Sequence, residues 1–128
     1  DQHSNMLATL KVVSQDKFKQ WIENGGGKGK FVPTAEAGKK LYFQQGCSAC
    51  HSLDEKQDIG PSWKEIYNTS RSFNNAPSTK ADENYLRESI VNPGKKIVKG
   101  YQNQMPSYSG LLRDEQINAI IEFIKTVK

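Results

Sequence analysis

Two cysteines three apart, followed at once by a histidine, constrain this chain more than anything else in it: Cys47-Ser48-Ala49-Cys50-His51. The chain has no other cysteine. On a helical turn, residues three apart lie on one side, about one turn from each other, so both thiols address the same object. C-x-x-C-H is the pattern of c-type haem attachment. Each thiol adds to one vinyl group on the edge of the macrocycle, and the next residue, His51, is turned under the ring to offer its imidazole to iron. A covalently held cofactor cannot dissociate, even from a small and half-polar protein. Three other readings stand beside this one. A zinc half-site wants four ligands, and the one other histidine, His3, lies far off near the start of the chain. A thioredoxin-like pair follows a strand, whereas a helix-like segment precedes this one. A disulfide across so small a loop stabilises little.

The rest of the chain suits a built-in cofactor. Its 128 residues make one small domain, or one domain with an appendage. Only 35% of them are hydrophobic, against roughly 45–50%, with Gly counted, in ordinary domains, so something else has to fill the middle. The 18 basic and 14 acidic residues leave +4. The lysines are interleaved with acids, and no nucleic-acid partner is expected. No run approaches the roughly 20 apolar residues of a membrane span, and no secretory signal is recognisable. Starting at Asp1 rather than Met, the sequence reads as a processed or excised piece.

Residues 25–32 divide it. Gly25-Gly26-Gly27-Lys28-Gly29-Lys30 holds four glycines in six positions and reads as a linker. Ahead of it, residues 6–13 predict a strand with Ala8, Leu10 and Val12 on one face. Ser14 then caps a short helix carrying Phe18, Trp21 and Ile22. Behind it, residues 33–128 predict short helices joined by loops, with no further strand. Thr34 caps a helix running to about Gly46, with Ala35, Gly38, Leu41 and Tyr42 on one side. A short helix is expected near Trp63–Tyr67. Asp82 caps a helix with Tyr85, Leu86 and Ile90, which stops before Pro93-Gly94. Ile117, Ile120, Ile121 and Ile124 mark the last helix, with Phe123 and Val127 widening its stripe, and Tyr42 is expected to meet that stripe.

A haem iron needs a sixth ligand or an open site. The two methionines are Met6, ahead of the linker, and Met105 in a polar loop before Pro106. Such a loop Met is poorly placed for core packing, so Met105 is the expected distal ligand, with gap-filling as the bland alternative. His plus Met saturates the iron and raises its potential, which suits electron transfer rather than oxygen or peroxide chemistry. A haem enzyme or gas sensor with an open iron, and a haem-free thiol redox domain, are the readings from other classes. Gly60-Pro61 could turn the chain along the ring. Trp63 and Tyr67 could reach haem propionates or simply pack. Lys95, Lys96 and Lys99 form a basic cluster that is either a solvated face or a dock for an acidic partner.

Together these residues resemble the class I c-type cytochromes, an all-α fold of short helices around a covalent haem c. The match spans about Thr34 to Lys128. Asn92-Pro93, Val98-Lys99-Gly100-Tyr101 and Met105-Pro106-Ser107-Tyr108 are similar to the cytochrome domain fused to subunit II of haem–copper cytochrome c oxidases. His3-Ser4-Asn5-Met6, then Val12-Val13 and Phe18-x-x-Trp21, resemble the end of that subunit's copper motif, so residues 1–24 read as a strand-and-helix remnant of a cupredoxin-like copper domain. The bridging cysteines of that motif are missing, so His3 and Met6 are remnant ligands that cannot hold copper here; copper belongs to the intact parent alone.

The resemblance implies that Cys47 and Cys50 bind the haem, with His51 and Met105 as axial ligands. The domain is then an electron carrier and not itself an enzyme. Its parent would be a membrane-anchored, oxygen-reducing, proton-pumping oxidase, while the fragment itself is soluble. Electrons would come from a quinol-oxidising complex or a small redox carrier. They would pass to the oxidase copper domain and catalytic subunit, on the outer face of the bacterial cytoplasmic membrane. The alternative is a free-standing mono-haem shuttle cytochrome. In either case Arg113 stands where the family often has Ser or Thr, and Asp114 is expected to cap the last helix instead.

Overall fold

The computed structural model describes residues 11–23 and 31–128, and the chain divides into two units, Asp1–Phe31 and Val32–Lys128. In the first, helix α1 (Gln15–Glu23) starts where Ser14 was expected to cap it: the Ser14 carbonyl accepts the Phe18 N–H at 2.9 Å. Lys11, Val12 and Val13, the described end of the expected strand, are exposed and form no strand. The remainder of that strand, His3 and Met6, and residues 24–30 lie outside the described residues.

In the second unit, helices α2 (Ala35–Gln44), α3 (Glu83–Val91) and α4 (Asp114–Thr126) carry the fold. Two of their starts follow the sequence directly. The Thr34 hydroxyl accepts from the Ala37 N–H at 3.2 Å, and Asp82 Oδ1 accepts from the Tyr85 N–H at 2.9 Å. Each satisfies one of the first-turn donors that a helix cannot pair internally. The start of α4 differs from expectation. Arg113 is its N-cap residue, and Gln116 Oε1, a turn later, accepts the Arg113 N–H at 3.0 Å. Asp114 does not cap; it is the first helical residue and pairs with Arg87 at 3.0 Å.

The core forms where α2 crosses α4. Leu41 and Tyr42 are buried against α4, whose Ile117, Ile120, Ile121, Phe123 and Ile124 are all buried. The Tyr42 and Phe123 rings stand 5.7 Å apart. At the crossing the backbones nearly touch, because a Cβ on Gly38 would overlap the Ala119 carbonyl oxygen. Helix α3 packs on α4 and presents Tyr85, Leu86 and Ile90 to the interior.

The expected helix at Trp63–Tyr67 is absent; two turns stand there, with Glu65 and Asn68 at φ of 50° and 65°. Left-handed residues cannot continue an α-helix. Their amides are taken elsewhere, Glu65 N–H by the Val127 carbonyl and Asn68 N–H by the Ala81 carbonyl, each at 3.0 Å. The segment beyond holds a minimal antiparallel pair that was not expected, β1 (Ser70–Arg71) with β2 (Thr79–Lys80), and a single bridge from Phe73 to Val98. Two-residue strands are too short to show the alternation by which a strand is read from sequence.

Candidate haem site

Helix α2 ends at Gln44 with Gln45 as its C-cap, and Gly46 (φ 74°) turns the chain into a single 3₁₀ turn, Cys47–Ala49. Only a residue at ease in the left-handed region makes that turn cheaply. Closing it, the Cys47 carbonyl accepts both the Cys50 N–H (3.2 Å) and the His51 N–H (3.0 Å). Both cysteines are half-buried and neither is in a disulfide. Burial pushes the Cys47 thiol above its ordinary pKa, so it is a protonated thiol at neutral pH.

His51 is held from several sides. Its Nδ1 lies 2.7 Å from the Pro61 carbonyl oxygen. A carbonyl can only accept, so Nδ1 carries the proton and Nε2 keeps its lone pair, as metal-bound histidines require. The Trp63 ring packs 5.4 Å away at 31°. The Tyr42 hydroxyl donates to the His51 carbonyl at 2.5 Å. Gly60 closes the cradle: a Cβ there would lie 2.6 Å from His51 Cε1. Burial, the largest influence, lowers the imidazole pKa, partly opposed by the bond to Pro61 and by Asp58. The ring is therefore neutral near pH 7, the form that ligates metals.

These groups open on one cleft of about 230 Å³. Cys47, Cys50, His51 and Met105 all line it, with Leu86 and Ile90 of α3, Ile120 and Ile124 of α4, and Ile97 and Val98 between. The four expected ligands are thus brought together, although Met105 is far from the others in sequence. An apolar cleft with two thiols, a tautomerically fixed imidazole and a thioether at its walls fits a haem c. Among the described residues no group of three or more His, Cys, Asp or Glu side chains could hold a metal ion between them, so the zinc reading lacks its remaining ligands.

Other expected residues divide. Gly60-Pro61 does position the site. Trp63 lines the cleft, but Tyr67 is not among the lining residues: its hydroxyl lies 3.4 Å from Glu83 Oε1, and the Lys125 ammonium sits 5.3 Å from its ring centroid. Two lysines of the basic cluster, Lys95 and Lys96, share the single carboxylate of Glu88, which offsets one of their charges. Those two lysines hold the Glu88 carboxyl below its usual range. Sequence reasoning passed over Arg71, which lines the cleft with Lys96; both cations suit the carboxylates of a haem. It also missed the hydroxyl of Tyr42, which looked purely structural. A tyrosine buried on a helix face must find a partner for its O–H, and that was the available signal.

A family model described as cytochrome c matches residues 35–128. The chain is similar to cytochrome c2 iso-1 of Magnetospirillum fulvum, with 36% identity over 95 residues, covering 64% of this chain and 91% of that protein. A shorter stretch is similar to cytochrome c-551 of Azotobacter vinelandii, with 48% identity over 31 residues, 24% of this chain and 37% of that protein. Among solved structures, cytochrome cH from Methylobacterium extorquens superposes with a TM-score of 0.55 at 27% identity, over 73% of this chain and 98% of that one.

Proposed function

The chain belongs to the cytochrome c family, a family of electron carriers rather than enzymes, and on that premise we propose that its cleft holds one haem c on Cys47 and Cys50, with His51 and Met105 as axial ligands. The observation that carries this reading is the convergence of two thiols, an imidazole with a free Nε2 and a methionine on one apolar cleft. When bound, the haem supplies a one-electron couple at its iron. The protein does the rest. Cys47 and Cys50 would anchor the group as thioethers, each by addition of its S–H across a vinyl group. Pro61, Gly60 and Trp63 hold His51 in one orientation, and the walls from α3 and α4 exclude water. Met105 would supply a thioether as the second protein ligand, which suits electron transfer rather than oxygen or peroxide chemistry.

The test is attachment. The purified protein should be red, and the colour should stay with the polypeptide through denaturing electrophoresis. The double variant Cys47→Ser, Cys50→Ser should lose that covalent colour entirely. A colourless wild type, or a variant that retains its colour, sinks the assignment.

The relatives favour a self-standing shuttle, because the aligned segment makes up 91% of the cytochrome c2 and there is little room in that protein for anything else. A second reading rests on residues ahead of the match. His3-x-x-Met6, then Val12-Val13 and Phe18-x-x-Trp21, resemble the end of a subunit II copper motif. In that reading the domain delivers electrons to the copper centre of a terminal oxidase on the outer face of the membrane. No described helix is long and apolar enough to cross a membrane. Kinetics of the full-length gene product separate the two. After flash reduction, a tethered domain passes its electron on at a rate independent of protein concentration, whereas a shuttle's rate scales with the concentration of its partner.

A further inference from the structure

The segment bearing Met105, from Gln102 to Tyr108, has no regular secondary structure, and Gln102, Asn103 and Gln104 are exposed. Its returning end is held by three bonds. Two go to the end of α3: the Ser107 hydroxyl to the Val91 carbonyl at 2.6 Å, and the Tyr108 N–H to the Ile90 carbonyl at 3.1 Å. The third runs elsewhere. The Tyr108 hydroxyl donates to the Gln45 carbonyl at 2.8 Å. Gln45 is the C-cap of α2, two residues before Cys47. The last carbonyls of a helix lack partners within it, and here one is satisfied by a side chain from the methionine segment. Tyr108 also lines the cleft, so its ring spans from the methionine segment to the attachment turn.

Resting on the assignment of Met105 as axial ligand, we infer that Tyr108 is a positioning residue whose hydroxyl latches the Met105 segment to the haem-attachment turn. With the latch closed, Met105 is held in the cleft and foreign ligands must first displace an anchored loop. Without it, the loop keeps its bonds to α3 but loses its tie to the Cys47 side, and it opens more often. A neutral hydrogen bond biases such an equilibrium about two- to tenfold.

The experiment is an imidazole titration of the ferric holoprotein, read by loss of the methionine–iron charge-transfer absorption in the far red. Tyr108→Phe removes one oxygen and keeps the ring, so imidazole should bind about two- to tenfold more tightly than to wild type. Thr34→Ala, which removes the cap at the other end of α2, costs stability of similar size and should leave imidazole affinity unchanged. An unchanged affinity in Tyr108→Phe overturns the latch alone, as does an equal gain in Thr34→Ala, which would make the effect one of general destabilisation. A wild type without the methionine–iron absorption overturns the ligand assignment and the latch with it.

Discussion

Replacing Gly38 by alanine should cost the folded protein about 2 kcal/mol or more, although the change adds one methyl group. Two effects oppose each other. Alanine is the better helix former by about 1 kcal/mol, which favours the variant. Against that, its Cβ would overlap the Ala119 carbonyl oxygen and stand 2.8 Å from Phe123 Cβ. Neither is the free end of a flexible side chain. Relief requires α2 and α4 to separate, loosening Leu41 and Tyr42 from the isoleucine stripe. Overpacking a well-filled core costs about 1–3 kcal/mol and occasionally more, and backbone overlap belongs at the top of that range. For a domain near this size, each 1 kcal/mol moves the melting temperature by roughly 4–8 °C, so Gly38→Ala should melt at least about 8 °C lower. Gly46→Ala is the informative contrast. Nothing lies within 4 Å of a Cβ there, and the cost comes only from φ of 74°, about 1–2 kcal/mol. Melting of Gly38→Ala at the wild-type temperature would show that the helix crossing is looser than its geometry implies.

The second large effect is expected at Met105. In Met105→Ala the thioether is gone, and no other described Met, Cys or His besides Cys47, Cys50 and His51 lines the cleft. The reduced variant should bind carbon monoxide readily while the wild type does not. Methionine opposite histidine raises the potential of a haem, so its loss should lower the midpoint by more than about 0.1 V, a modest share of the roughly 0.8 V that axial ligands command. A redox titration beside a carbon monoxide titration measures both. Wild-type protein that takes up carbon monoxide as the variant does would show that Met105 is not a ligand, and the reading of a closed electron carrier would fall with it.

The two results bear on different links of one chain. Gly38 governs whether α2 and α4 meet; where they meet decides where Tyr42 stands, and Tyr42 holds the backbone of His51. Met105 governs what the assembled cleft can do. The first variant should act chiefly on stability, and the second chiefly on the potential and on carbon monoxide binding.

What could be read from residues alone was whatever is encoded within about one helical turn. Cys47, Cys50 and His51 are adjacent, so their chemistry is visible as a string. The Thr34 and Asp82 caps bond amides three residues on, and the Ile117, Ile120, Ile121, Ile124 stripe repeats at the helical period; all were legible for the same reason. Only the tertiary structure decided the rest, because the partners are distant in sequence. The Trp63–Tyr67 segment turns rather than coils because Glu65 within it and Asn68 just beyond it give their amides to the Val127 and Ala81 carbonyls. Lys95 and Lys96 are drawn together by one carboxylate, Glu88 of α3, which offsets one of their two charges. Tyr108 meets Gln45 across 63 positions of chain. Local hydrogen bonding and periodicity set the elements and the attachment chemistry, whereas long-range packing set which carbonyls, rings and charges surround them.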